Sequence, residues 1–328
     1  MTVTNPYSVS GPVRTAAMFF GRWHELNEVS AFVHGSQSVS IIGPGRIGKT
    51  SLLVRLMRPE VWPELGLDEH NLFVYLDGET LGDGSLEVIF DRLAAATATS
   101  LAERRLAPES TLERTTAQPA RLAFEAAVRQ LNRRGWQVVI ILDDFERLST
   151  NPQLDVNFFN ALRSAAARLR LVYVTASTRP LIELTYANRP EEILSSPFFN
   201  IFAPCFLGLL AENEARHLID EPARVAGVPL APTTADFIYT LAGGHPLALQ
   251  LACFHAFNTP ADTAAIEHNT TLDLAATFQA LWSNLSPLEQ QTLARLSGAT
   301  LREPDNTTQR VVLRDLVQKC LLAWDGRQ

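Results

Sequence analysis

Gly43-Pro44-Gly45-Arg46-Ile47-Gly48-Lys49-Thr50, continued by Ser51 and a leucine-rich segment, is the stretch on which the reading of this 328-residue chain turns. The run matches the pattern G-x-x-x-x-G-K-[ST], and both flanks have the form that this pattern requires. Val39 to Ile42 before it reads as a buried strand, and Leu52, Leu53, Leu56 and Met57 after it recur at helical spacing until Pro59. Glycines let the backbone wrap a phosphate with no Cβ in the way, while successive N–H groups and a helix N-terminus present partial positive charge to the anion. In such a loop Lys49 reaches the β- and γ-phosphates and the Thr50 hydroxyl ligates Mg2+. The competing interpretation is a glycine turn with a surface lysine, and it leaves both flanks as coincidences.

A magnesium–triphosphate site also needs a carboxylate for the metal and a second polar group to orient the attacking water. Val138 to Leu142 is the most apolar strand of the chain and ends in Asp143-Asp144, which puts two acids at the carboxyl edge of a sheet, where open α/β folds bind ligands. Asp143 is assigned to magnesium and Asp144 to the catalytic position; alternatively both merely end a strand and cap the next helix. Leu171 to Thr175 reads as a further strand and runs into Ala176-Ser177-Thr178-Arg179, where Arg179, with Thr178 second, is placed to sense a γ-phosphate. Its plainer role is that of a solvated residue ahead of Pro180. With strands at Leu72 to Leu76 and Ile201 to Phe206, and helices marked by Leu86, Ile89, Phe90 and Leu93 and by Phe124, Ala127, Val128 and Leu131, the pattern is an α/β fold. It calls for a five-stranded parallel sheet with helical layers on each side. Residues 94–120, rich in Ala, Thr and Arg, are expected to form a mobile loop.

Beyond Leu207 the strand signals stop, and helical segments punctuated by Gly227, Gly243 and Gly244 follow. Ser286, Pro287 and Glu289 form a capping box opening another helix. A last helix around Val312 to Val317 and the apolar run Cys320 to Trp324 suggest a winged helix. The expected domains are 1–206 (α/β core with an N-terminal lead-in), 207–270 (helical lid) and 271–328 (winged-helix-like). A formal net charge of −7 and the lack of a Lys/Arg-dense run argue against nucleic acid as a partner. Cys205, Cys253 and Cys320 have no paired spacing, so neither a zinc site nor a disulfide framework is indicated. No targeting segment or long apolar span is found, so a cytoplasmic protein with no membrane partner is expected.

Five segments in this order and combination resemble a STAND-class P-loop ATPase of the AAA+ kind, in its bacterial form. They are Asn5-Pro6-Tyr7 with Phe19-Phe20-Gly21-Arg22, Gly43 to Leu53, Val138 to Leu148, Thr175 to Arg179, and Gly243-Gly244-His245-Pro246-Leu247. The resemblance spans nearly the whole chain. It implies ATP/ADP as the ligand, Gly21 and Arg22 near the base, Arg179 as sensor, and His245 with Pro246 in a lid closing over adenine or phosphate. It further implies a signal-transduction switch, ADP-closed and ATP-open, with nucleotide-dependent self-association and an effector module, sensor module or partner protein. Two departures stand out. Asp144 occupies the position where relatives often carry Glu, one methylene longer, so slow hydrolysis is expected. Relatives are usually longer, so the chain is expected to be a fragment or a minimal core. The alternative is a DNA-binding AAA+ ATPase resembling origin-recognition or helicase-loader proteins, using Arg295, Arg302, Arg310, Arg314 and Lys319 of the last unit. A constitutive ATPase or nucleotide kinase ranks below both, because no acceptor site is evident.

Overall fold

The computed structural model describes residues 4–104, 118–186, 197–260 and 262–298, together with residues 312, 313, 316 and 317. By packing, the chain divides into two compact units that interleave in sequence. One comprises His24–Ile42 and Leu56–Cys205; the other comprises Met1–Trp23, Gly43–Arg55 and Phe206–Gln328. They are called the sheet unit and the cavity unit below.

The sheet is built from β1 (Ser38–Ile42), β2 (Asn71–Leu76), β3 (Gln137–Leu142), β4 (Leu171–Ser177) and β5 (Phe202–Phe206), in the order β2-β3-β4-β1-β5. The first four strands are parallel, with Leu142 opposite Thr175 and Ile42 opposite Ser177. β3 and β4 are buried at every position, the signature of a sheet covered on both faces and the reason these segments read as unbroken apolar runs. The register brings the carboxyl ends of β1, β3 and β4 to one edge, so the residues that follow them, Gly43, Asp143 and Thr178, all leave the sheet there.

Helices α1 (Trp23–His34) and α2 (Lys49–Leu56) flank β1 and the glycine-rich loop in sequence. The short turns α3 (Trp62–Leu65) and α4 (Gly78–Leu81) precede the long α5 (Leu86–Glu103) and α6 (Ala120–Arg133). The unit is completed by α7 (Phe145–Ser149), α8 (Val156–Arg168) and α9 (Leu181–Tyr186). Its core is dense in aromatics: Phe90 packs 5.8 Å from Phe124 and 6.0 Å from Phe158, ring centroid to ring centroid. The mobile loop expected from residue 94 is corrected in its first part. α5 continues through Glu103 because Leu93, Thr97 and Leu101 keep a helical stripe buried and alanine favours the helix. Residues 105–117 lie outside the described residues.

The cavity unit is helical: α10 (Glu212–Val225), α11 (Pro232–Ala242), α12 (Pro246–Asn258), α13 (Thr263–Ser283) and α14 (Pro287–Gly298). Leu249, Ala252, Cys253 and Ala256 of α12 are fully buried among Ile219, Ile238 and Ile266. The boundary expected at 270/271 falls inside α13, which Asp262 caps through the Ala265 N–H (2.9 Å) and which runs unbroken to Ser283. Leu274, beyond that boundary, shares a core with Ile266. No glycine or proline interrupts this stretch to end the helix earlier. The expected capping box exists: Glu289 accepts from the Ser286 N–H at 2.8 Å, and the Ser286 hydroxyl accepts from the Glu289 N–H at 3.3 Å. Residues 312, 313, 316 and 317 are helical, but the apolar run 320–324, and with it the wing of the expected winged helix, lies outside the described residues.

The lead-in is fastened to the helices by its own side chains. Asn5 donates to the Phe254 carbonyl at 2.9 Å and to Asn258 at 3.1 Å, while the buried Tyr7 hydroxyl donates to the Ile219 carbonyl. Burial pushes the Tyr7 phenol well above its usual value, so it stays a neutral donor. Asn5-Pro6-Tyr7 is thus a clasp onto α10 and α12.

Candidate nucleotide site

The cavity unit carries an open-sided cavity of about 570 Å³, within the usual size of a ligand pocket. Three stretches far apart in sequence line it: the lead-in (Ser8 to Val13, Met18 to Phe20 and Arg22), the glycine-rich loop (Arg46 to Ser51), and the face of α12 formed by Pro246, Leu247, Gln250, Leu251 and Phe254. Asp273 and Thr277 of α13 complete the wall, with Leu210 and Leu218. The cavity therefore has a cationic, amide-rich end and an apolar side, as a phosphate ester on an aromatic base requires.

The loop keeps the shape that the pattern predicts. The Lys49 ammonium donates to the carbonyls of Gly43 (2.8 Å) and Pro44 (2.9 Å), bridging the start of the loop from the helix behind it. Arg46 sits at positive φ with an exposed side chain, so the tip of the loop bends through a left-handed residue. The Ser51 hydroxyl accepts from the Val13 N–H at 2.9 Å and the Gln250 amide oxygen from the Ser8 N–H at 3.0 Å. Residues 8–13 thus run from α12 to α2 along the cavity wall. This extended segment carries no periodicity, and no local pattern signals that it lines the site.

Gly21 and Arg22 have a definite structural task. Both have positive φ, and a Cβ on Gly21 would lie 2.6 Å from the Glu214 carboxyl carbon, so a larger residue there would be strained and would displace Glu214. The closeness lets Glu214 accept from the Arg22 N–H (2.8 Å) and from the Ala211 N–H (3.1 Å) at the start of α10. The buried Arg22 guanidinium donates to the carbonyls of Gly208, Leu209 (3.4 Å) and Ile47 (3.4 Å), joining the glycine-rich loop to the segment that leads into α10. Pro246 lines the cavity and His245 does not. His245 caps α12, its Nδ1 accepting from the Ala248 N–H at 3.4 Å, with its ring edge-on to Phe278 at 5.9 Å. This bond puts the proton of the neutral ring on Nε2, which is buried with no hydrogen-bond partner among the described residues. Burial, and then the charge of Arg22, hold the imidazole pKa down at about 4.

Asp143, Asp144 and Arg179 belong to the sheet unit. Asp143 is buried; one carboxylate oxygen accepts from the Tyr75 hydroxyl at 2.8 Å and the other from the Asp144 N–H at 3.0 Å. Asp144 is exposed, at positive φ, and paired with Arg147 at 3.3 Å. Arg179 is exposed, whereas its neighbour Thr178 donates from its hydroxyl to Glu146 at 2.6 Å and from its N–H to the same oxygen. Tyr75 and Glu146 escaped sequence reasoning. Tyr75 stands at the one half-buried position of β2, and nothing but the register shows that it comes beside Asp143, the residue after β3.

Among the described residues no three His, Cys, Asp or Glu gather in a metal-holding group. No described helix is long and apolar enough to cross a membrane.

Solved structures resemble the chain over nearly its whole length. The Walker-type ATPase PABY2304 of Pyrococcus abyssi matches at a TM-score of 0.66 and 14% identity, covering 94% of this chain and 92% of that one. The ORC2 protein of Aeropyrum pernix, in ADPNP–ADP complexes, matches at 0.57 and 14%, covering 97% and 89%. At such identities the likeness shows the fold, a P-loop NTPase sheet with its helical companion. No curated protein matches the sequence. The model of the family described as novel STAND NTPase 2 matches residues 29–289, which span the glycine-rich loop, the acidic strand and the helices to α14, and the chain belongs to this family of nucleoside-triphosphate-hydrolysing P-loop enzymes.

Proposed function

We propose that the chain is an adenine-nucleotide switch of the STAND type, which ADP holds closed and ATP opens for self-association and signal transduction. The observation that carries this reading is the composition of the cavity wall: lead-in, glycine-rich loop and α12 surround one space. A ligand there is the shared neighbour of three segments distant in sequence, so a difference of one phosphate changes how tightly they are held. A ligand shifts such an equilibrium only by its differential affinity for the two states.

In this reading Lys49 leaves the carbonyls of Gly43 and Pro44 and donates to the β- and γ-phosphates, while the amides of Gly45 to Ser51 surround them. Pro246 and the apolar face of α12 take the base, and Arg22 holds the loop in place through Ile47. Thr50 and Asp143 would hold Mg2+, which when bound neutralises phosphate charge. Asp144 orients the attacking water, inefficiently because of its short side chain, and Arg179 registers the γ-phosphate. The α/β core, a helical lid and a winged-helix-like C-terminal unit then act together in a cytoplasmic protein whose effector or sensor is a partner protein.

The test is to purify the chain, identify any nucleotide released on denaturation, and follow its mass by light scattering in ADP and in a non-hydrolysable ATP analogue. Copurified ADP and assembly only with the ATP analogue are expected. Equal mass in both nucleotides overturns the switch, and salt-dependent DNA binding in place of assembly would transfer the assignment to the DNA-binding alternative.

A further inference from the structure

We infer that Asp273 and Thr277 of α13 read a hydrogen-bond donor on the nucleoside half of the bound nucleotide, a ribose hydroxyl or the amine of adenine. This inference rests on the reading of the cavity as a nucleotide site. The two residues are four apart on one helix, hence on one face, and both line the cavity. Asp273 is steadied by His255 of α12, whose Nε2 lies 2.8 Å from one carboxylate oxygen. The second carboxylate oxygen and the Thr277 hydroxyl have no partner among the described residues. A carboxylate only accepts hydrogen bonds and a hydroxyl both donates and accepts, so the pair is suited to a donor group of the ligand.

The position along α13 selects which part of the ligand they meet. Near the C-terminal end of the helix, Leu281 reaches the glycine-rich loop: a Cβ added to Gly45 would lie 3.5 Å from its methyl carbon. Asp273 stands eight residues earlier, about 12 Å back along the axis. A carboxylate beside the phosphates would be repelled by them, whereas set back from the loop it faces the sugar and base. The apolar neighbours agree with this. Phe254, adjacent in sequence to the His255 that holds Asp273, and Leu251, one turn before it, form the cavity wall there and offer the base a face to pack on. An acidic side chain hydrogen-bonded to a ribose hydroxyl is how dinucleotide-binding α/β sheets hold the sugar.

The experiment compares calorimetric affinities for ADP, 2′-deoxy-ADP, 3′-deoxy-ADP and the diphosphate of purine riboside, which lacks the amine. Each is titrated into the full chain and into Asp273→Asn, Asp273→Ala and Thr277→Val variants, with thermal melting to confirm folding. The wild type is expected to bind one of the three analogues about tenfold more weakly than ADP, and the Asp273 variants to bind ADP as weakly as that analogue, with the difference between the two abolished. Loss of discrimination against a deoxy sugar identifies a ribose hydroxyl, and loss against purine riboside identifies the amine. If the variants keep the wild-type pattern of discrimination, or weaken all four ligands alike, the inference is overturned. A Lys49→Ala control separates the two levels: if it leaves ADP affinity unchanged, the nucleotide reading of the cavity fails first.

Discussion

Asp143 in the sheet unit and Arg22 in the cavity unit are both buried and charged, and they are held in opposite ways. Asp143 receives its bonds from the next residue and from Tyr75 one strand away, partners fixed by the register of β2 on β3. Arg22 is held by Glu214, 192 residues along the chain, and its guanidinium serves carbonyls of two further segments. The sheet unit thus presents its acid from a scaffold that stands without it. The cavity unit joins its walls by polar contacts of this long-range kind in addition to the apolar core around Ile219, Ile238 and Ile266. Substitutions in the sheet unit are therefore expected to change chemistry more than stability, and those at the cavity's junctions the reverse.

The largest effect should come from Lys49→Ala, which removes the charge meant for the phosphates and lowers nucleotide affinity by roughly a thousandfold, as read by titration. If affinity persists, the cavity is not the phosphate site. Asp143→Asn tests the sheet unit: turnover should fall about a hundredfold while nucleotide binding and melting temperature hardly move. A collapse in stability would show that Asp143 is structural and erase the contrast between the units.

The junctions come next. The His245 imidazole, held down at about 4, stays neutral in the folded protein, whereas in the unfolded chain it takes its proton near the ordinary 6.5. Stability present above 6.5 is accordingly lost as the pH falls towards 4, by about 2–3 kcal/mol at the lower limit. His245→Asn, which can still cap α12, should remove that part of the pH dependence in denaturant titrations at pH 7 and pH 4.5. Gly21→Ala forces a Cβ against Glu214 at positive φ and should cost about 2 kcal/mol of stability in the same assay, with turnover per folded molecule less affected. The smallest change is expected from Tyr75→Phe, which removes one hydrogen bond from Asp143 and should slow turnover by about tenfold or less, since such a bond contributes about 1 kcal/mol.

The unequal legibility of the two units follows from the same contrast. Each expected strand formed within two residues of its predicted ends; for β1, β3 and β4 the reason is that a strand buried on both faces must be an apolar run whatever surrounds it, whereas β5 alternates buried and exposed positions. α5 outlasted the expected loop because Thr97 and Leu101 continue a stripe that the alanines around them blur. The Asn5-Pro6-Tyr7 and Gly21-Arg22 motifs were visible as motifs, but their partners on α12 and α10 were not, since no local pattern reports a contact between residues 5 and 254.

By itself, the sequence determined the phosphate loop, the five strands and the acids that end the third, because backbone geometry and burial on both faces leave a period and a composition in the local chain. Tertiary structure alone decided that residues 8–13 wall the cavity, that His245 caps a helix while Pro246 faces the ligand space, and that Asp273 joins the wall from α13. Those places are set by which side chains meet across long sequence separations, and the free energy of such meetings resides in the assembled packing and in no single segment.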